Sequence, residues 1–312
     1  MRQLIEFWHR NERIVMELIV TGGRGFIGSH FVEKALAARD TVIDFDCMSY
    51  CSHDSLPFDN HPKYKHINQD ICDISHLPSC DVVVNFAAET HVDNSINDTN
   101  PFLKSNVMGV HNLLEIIRGK QTHERPLFVQ ISTDEVYGDR LEGSFSETDK
   151  LTPSNPYSAS KAAAEMFVLA YNKTYGLDYL ITRSSNNYGP RQYYEKLIPK
   201  TLKCIETGKK IPLHGDGSYV RDWIYVKDNV DAIYALIEQG VKNSIYNIGA
   251  NNHMTNLEVV RDLLSSFGRG DESIQFVENR WGQDLRYSLN TDKINALGWH
   301  PQNSKGIVKW WN

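Results

Sequence analysis

The chain has 312 residues, 41% of them hydrophobic and 23% charged, with a formal net charge of -6. That supports one large globular unit or two closely joined domains and excludes a disordered chain. The acidic balance, with no sustained basic run, excludes a nucleic-acid partner, and the absence of any run of about eighteen apolar residues excludes a membrane span.

Residues 1–15 carry Glu6, Arg10, Glu12 and Arg13 among apolar residues. They lack the hydrophobic core and small-residue cleavage site of a secretory signal, so a cytoplasmic protein is expected. With Met16 directly before the first strand, this extension reads equally as a short helix, a disordered lead or a start-site artefact. The five cysteines are odd in number and lack metal-ligand spacing, which points to free thiols in a reducing compartment. The twelve histidines include no helical His-x-x-x-His pair, and no metal is expected.

The first strand, Glu17 to Thr21, runs into Gly22-Gly23-Arg24-Gly25-Phe26-Ile27-Gly28 and then a helix from Ser29 to Ala38. Strand, glycine turn and helix is the pattern of a dinucleotide site. Gly22 permits the tight turn, Gly25 the approach of a pyrophosphate to bare backbone, and Gly28 the packing of helix on strand, with Phe26 and Ile27 opening the helix that faces the phosphates. A second strand, Thr41 to Phe45, ends beside Asp46, with Asp44 as the alternative, where a carboxylate would grip the adenine ribose hydroxyls. A carboxylate there, with no arginine after it, favours NAD over NADP. Asp70-Ile71 follows a third strand and would meet the adenine. The strand from Val82 ends in Phe86-Ala87-Ala88, whose small residues let a dinucleotide lie close to the backbone.

A strand from Leu127 to Ser132 delivers Thr133, Asp134 and Glu135 to the carboxyl edge of the same sheet, where ligands of open α/β folds bind. Tyr157 and Lys161 are four apart at the start of a helix, so they share one face, where an ammonium lowers the pKa of a phenol and makes Tyr157 a base. Base, acid and hydride acceptor thus fall in one site, and the two carboxylates exceed what a simple alcohol dehydrogenase needs. Alternating strands and helices up to about Ile181 describe an α/β, Rossmann-type, doubly wound parallel sheet. Residues 221–248 read as a return to it, with a strand from Asp222 to Val226 and a helix from Asn229 to Gln239. The expected division is a nucleotide-binding domain of 16–184 and 221–248, and a smaller, discontinuous C-terminal substrate domain of 185–220 and 249–312.

The segments TGGRGFIG, FAAETHVDNSI, STDEVYG, YSASK, SNNYGP, EKLIP, RDWIYV and YNIG occur in that order. This order resembles the nucleotide-sugar 4,6-dehydratases of the extended short-chain dehydrogenase/reductase superfamily, the dTDP-glucose 4,6-dehydratases most nearly, over nearly everything from Met16 onward. The glycine loop and Tyr-x-x-x-Lys fix only the superfamily; the Thr-Asp-Glu run points to dehydration. The resemblance implies a lyase (hydro-lyase) that holds NAD and turns dTDP-glucose or UDP-glucose into the 4-keto-6-deoxy sugar of 6-deoxysugar (rhamnose-type) biosynthesis. In it Tyr157 takes the proton of the C4 hydroxyl, Glu135 takes the C5 proton and Asp134 protonates the departing C6 hydroxyl. Thr133 bonds the C4 oxygen and Lys161 holds the nicotinamide ribose. The alternatives are a sugar-nucleotide 4-epimerase or related enzyme of the superfamily and, from another class, a catalytically silent NAD-binding module.

The resemblance also implies contacts to NAD from Ser105 and Asn187, and to the hexose from Thr90 and Asp93. It implies substrate contacts from Asn186 and from the loop Glu195, Lys196 and Leu197, with Pro212, Leu213 and His214 as the base-binding strand. Arg221, Asn256 and Arg280 match positions that hold the pyrophosphate and nucleoside, a role suited to guanidinium donors. Gln283 stands where a histidine usually helps the substrate, Cys47 where a lysine is common, and the segment between Tyr137 and Tyr157 is short for the family. The chain stops at Trp310-Trp311-Asn312, inside or just after a helix that relatives extend. Helices Asn100 to Arg118 and Ser158 to Tyr175 carry apolar stripes that resemble the four-helix dimer contact of the superfamily, although burial within one subunit would look similar.

Overall fold

The structure, a computed structural model, describes residues 15–279, 281–303 and 305–311. Five strands of the first half, β1 (Glu17–Thr21), β2 (Thr41–Asp46), β3 (Tyr64–Asn68), β4 (Val82–Asn85) and β5 (Leu127–Thr133), join β6 (Tyr179–Ser184) and the distant β10 (Ser244–Ile248). They form one seven-stranded sheet in the order β3-β2-β1-β4-β5-β6-β10, parallel throughout. Leu18, Ile19, Val20, Val83 and Val84 are essentially inaccessible, as expected of parallel strands covered on both faces. The order reverses between β1 and β4, and a crevice opens at the carboxyl ends of these strands.

Helices α1 (Phe26–Ala37) and α7 (Val226–Glu238) cover one face, packing Phe31, Val32 and Ala35 with Ile233 and Leu236. On the other face lie α4 (Val110–Gly119) and α5 (Pro156–Tyr175), with Leu113, Ile117, Ala164 and Val168 inward. Short α2 (Val92–Asn97) and α3 (Asn100–Phe102) precede α4, and a π-helical stretch, Leu103–Gly109, joins α3 to α4 where one straight helix is expected. Under α5, Arg183 of β6 and Glu165 form an ion pair at 2.6 Å, buried on both sides.

A third apolar cluster, with Ile198, Ile211, Trp223, Val259 and Leu263, belongs to the second half. It gathers α6 (Leu197–Thr207), α8 (Asn256–Ser266), a three-stranded sheet of β7 (Asn186–Tyr188), β9 (Val220–Tyr225) and β11 (His253–Thr255), and the parallel pair β8 (Ile211–His214) and β12 (Ile274–Val277). The strand expected at 222–226 as part of the nucleotide sheet is β9, and it pairs with β7 and β11 instead. Its apolar pattern fits either sheet, and only its neighbours in space decide. Helix α7 and β10, by contrast, do return to the large sheet. Near the end, α9 (Asp292–Asn295) is followed by irregular chain to Trp311 instead of the expected terminal helix. Trp310 packs at a tilt against Tyr188 with ring centroids 5.8 Å apart, and Trp311 stacks on Phe267 at 6.4 Å.

Candidate active site

At the mouth of the crevice the glycine loop is built so that side chains cannot enter it. Gly22 has φ +73°, and a Cβ there would lie 2.7 Å from the Ala87 nitrogen; one on Gly28 would lie 2.1 Å from the Gly22 carbonyl. No side chain caps α1 at Gly25, and its first turn, Phe26 to Gly28, forms part of the cleft wall with Phe86 and Ala88. Of the two acids that end β2, Asp44 is consumed by the loop: it accepts from Gly23 N at 2.8 Å and from the Tyr64 hydroxyl at 2.8 Å. Burial pushes it up to about 7 against the Tyr64 bond, and the charge of Asp46 adds to that rise. Asp46 accepts from Arg24 N at 3.0 Å, Met48 N at 2.8 Å and Ser52 Oγ at 2.9 Å. Asp70 is held by Cys72 N and Lys104, both at 2.9 Å; next to it Ile71 is buried, and Ser105 lies half-buried in the π-helical stretch.

Deeper in the cleft, β5 ends at Thr133 and the chain turns through a single 3-10 stretch, Asp134–Tyr137. Thr133 Oγ1 accepts from Glu135 N at 3.3 Å and donates to Asp134 Oδ1 at 3.2 Å. Asp134 is 2% exposed, and its Oδ2 is a buried oxygen with no partner. Burial, reinforced by the charge of Glu135, holds its carboxyl well above the usual range, and Arg221 only partly offsets this. Asn155 caps α5 in a capping box with Ser158, and Pro156 occupies the first turn, so the sequence itself starts the helix one residue before Tyr157. Tyr157 N donates to Ser95 Oγ of α2 at 3.2 Å, which anchors that start.

Tyr157 and Lys161 both line the cleft, as their spacing predicts, but their electrostatics differ from the expectation. The Tyr157 hydroxyl is raised, not lowered, by burial and then by Glu135, against a hydrogen bond with Thr133. Lys161 directs its Nζ at the Ile131 carbonyl, 2.6 Å away, and burial lowers it to about 8 against the pull of Glu165. The spacing of four fixes a shared face; it does not fix where a long, buried side chain finds its acceptor.

Thr90, Asn186, Asn187, Glu195 and Lys196 also line the cleft. Lys196 Nζ donates to the Thr90 carbonyl at 2.9 Å, tying this wall to the loop after β4, and Asp93 lies in the first turn of α2. Glu195 accepts from the Tyr50 hydroxyl at 3.2 Å. Residues that sequence reasoning missed complete the walls: Cys51, Ile131, Ser132, Ser184, Ser185, Gln192 and Tyr193. Gln192 and Tyr193 sit three and two residues before the expected Glu195, close enough in sequence to have been included. Cys51 has no local signal.

Other expected residues stand outside these walls. Ala87 packs against the glycine turn, and Leu197 opens α6 against the third core cluster. Leu213 is buried in that cluster while Pro212 and His214 face away, and His214 Nδ1 meets the Glu278 carbonyl at 2.7 Å. Arg221 is buried, giving hydrogen bonds to the carbonyls of Val220 at 2.7 Å and Asp284 at 2.9 Å, with its guanidinium 4.2 Å above the Tyr287 ring. Asn256 opens α8, and Gln283 carries a buried Oε1 without a partner. Arg280 lies outside the described residues, as do residues 1–14 of the extension.

The GDP-mannose 4,6 dehydratase family profile matches residues 19–307. The chain belongs to this family. It is 44% identical to the low-salt glycan biosynthesis protein Agl12 of Haloferax volcanii, with 92% of this chain and 94% of that protein covered. It is 40% identical to the dTDP-glucose 4,6-dehydratase of Haemophilus influenzae, with 95% and 98% covered. Among solved structures, a dTDP-glucose 4,6-dehydratase from Streptomyces venezuelae with NAD bound superposes with a TM-score of 0.89 at 40% identity, covering 95% of this chain and 93% of that one. Family membership agrees with the parallel sheet and its switch point. The residues present also fit a dinucleotide: side chains are excluded from the glycine cradle, and Ser185 Oγ, Asn186 Oδ1, Asn187 Oδ1 and Gln192 Oε1 are buried on the cleft wall without partners.

Proposed function

We propose that this protein is an NAD-dependent hydro-lyase that removes water from a nucleoside-diphosphate glucose, dTDP-glucose before UDP-glucose, to give the 4-keto-6-deoxy sugar. The observation that carries this reading is the buried carboxyl of Asp134, whose Oδ2 has no partner and whose pKa burial raises, beside Glu135, which is only partly buried. One carboxyl kept as an acid next to one left as a base is what elimination across C5 and C6 requires. The glycine loop and Asp46 hold the dinucleotide, with Lys161 and Asn187 at its nicotinamide end. When bound, NAD would supply the hydride acceptor for C4 and the hydride donor for C6, and its positive charge would favour the Tyr157 phenolate.

Tyr157 takes the proton of the C4 hydroxyl, its raised pKa brought down by the positive charge the cofactor would bring. Thr133 bonds the C4 oxygen as it becomes a ketone, which acidifies C5. Glu135 then removes the C5 proton and Asp134 gives its proton to the leaving C6 oxygen. Glu195, Lys196 and Asn186 position the hexose and phosphates, and the nucleoside lies toward β8, Arg221 and Asn256. A 4-epimerase has no step that consumes a buried carboxylic acid, so nothing in the site favours that alternative. We further place the protein in a reducing compartment, all five cysteines being free, and as a homodimer through α4 and α5.

The test is incubation of the purified protein with NAD and either dTDP-glucose or UDP-glucose, followed by mass spectrometry. Loss of one water without net NADH is expected, faster for dTDP-glucose. An unchanged sugar mass with both substrates overturns the assignment. Asp134→Asn should slow water loss on the order of 100-fold or more while still accumulating NADH from the first hydride transfer; equal water loss in this variant removes Asp134 from the mechanism.

A further inference from the structure

A second cavity lies beside Asp46, lined by Arg24, Met48, Asp54, Asp59, Tyr64 and His66. It adjoins the expected ribose site directly, because the backbone nitrogens of both Arg24 and Met48 donate to the Asp46 carboxylate. A guanidinium in such a place would ordinarily be an invitation to phosphate. Here it is already paired with a carboxylate. Arg24 Nη1 and Nη2 reach Asp59 Oδ1 and Oδ2 at 2.8 and 3.3 Å, and Nε reaches the His53 carbonyl at 2.8 Å. Asp59 is fixed in turn by Leu56 N at 2.8 Å, and its pairing with Arg24 holds its carboxyl below the usual range. The same cavity holds a buried His66 Nε2 without a partner.

We propose that Asp59 is a positioning residue for cofactor choice: it locks the Arg24 guanidinium in a two-pronged pair and so denies a 2'-phosphate its natural counter-ion. Asp46 repels a 2'-phosphate by charge, but a free guanidinium next door would cancel that repulsion. Exclusion of NADP therefore needs both carboxylates, and removing the charge of Asp59 turns the cavity into a phosphate site made of Arg24 and His66. This rests on the NAD reading above.

The experiment incubates the full-length protein with equimolar NAD and NADP, removes free nucleotide and counts bound dinucleotides by chromatography. Wild type should retain NAD. Asp59→Asn should raise the bound NADP:NAD ratio on the order of tenfold, with the gain shrinking as salt is added. Asp59→Glu should keep the wild-type ratio, and Asp59→Asn combined with Arg24→Gln should lose the gain. Asp59→Ser is made in parallel, so that whichever neutral variant folds is read. An unchanged ratio in the folded neutral variant, or a gain that survives loss of Arg24, overturns the lock. A wild-type protein that retains neither nucleotide overturns the NAD reading and the lock together.

Discussion

Asp44 and Asp46 both end β2, and the sequence separates them only by their distance from the glycine loop. The fold separates them by what they bond. Asp44 has no exposed surface and braces Gly23 and Tyr64, and its carboxyl is raised from 3.8 to about 7, chiefly by burial. Between these values the folded protein holds a proton that the unfolded chain has released. Folding stability should therefore fall as pH rises through that window, by up to about 1.4 kcal/mol per pH unit, and level off above it. Asp44→Asn removes the titration, so its unfolding free energy relative to wild type should climb between pH 4 and 7, the ends of that window, and then stay constant. Urea midpoints at stepped pH check this, and a difference that does not vary with pH would show that Asp44 ionises freely. The same limit on legibility applies at Tyr157 and Lys161. Their residue types and spacing declare a shared helical face, whereas the hydrogen bond from Lys161 to Ile131 depends on a strand thirty positions away.

At the scale of elements, the strand–turn–helix unit is the most legible part of the chain because its constraints are local. The loop needs glycine at Gly22 for its positive φ and at Gly28 because the Gly22 carbonyl occupies the place of a side chain. Gly28→Ala should cost about 2–4 kcal/mol and release the dinucleotide. Gly119 closes α4 in open space at an ordinary φ, and Gly119→Ala should stabilise by about 0.5–1 kcal/mol. Thermal unfolding of the two variants, with bound NAD counted, checks both signs at once. Strand β9 marks where local reading ends: its residues were recognised as a strand, but its partners β7 and β11 lie on either side of it in sequence and outside the large sheet. The residues expected from the second half of the chain are harder to read for the same reason. Arg221 and Asn256 have no local pattern and stand outside the cleft walls, and their expected roles rest on the family resemblance alone.

At the scale of the whole molecule, an apolar face on the outer side of α4 and α5 is left uncovered by the described residues. Helix α5 turns Tyr157 and Lys161 into the cleft, while Met166 and Phe167 on the same helix are 48% and 37% exposed. Leu103 and Met108 of the π-helical stretch, which packs against α5, are exposed as well. His111 of α4 meets Phe167 edge-on at 5.9 Å, which joins the two helices' outer surfaces into one patch. Among the described residues, nothing within the subunit buries these outer side chains. A second copy applying the same patch would cover it about a two-fold axis, giving a four-helix contact. Sedimentation should then give twice the mass of one chain. Met108→Glu with Phe167→Glu should give a single-chain mass at the same concentration, because buried like charges repel across the axis. Since both side chains are exposed in the subunit, each variant subunit should still fold and retain NAD. Wild-type protein sedimenting as single chains would overturn the dimer, and a variant that sediments unchanged would place the contact on another face.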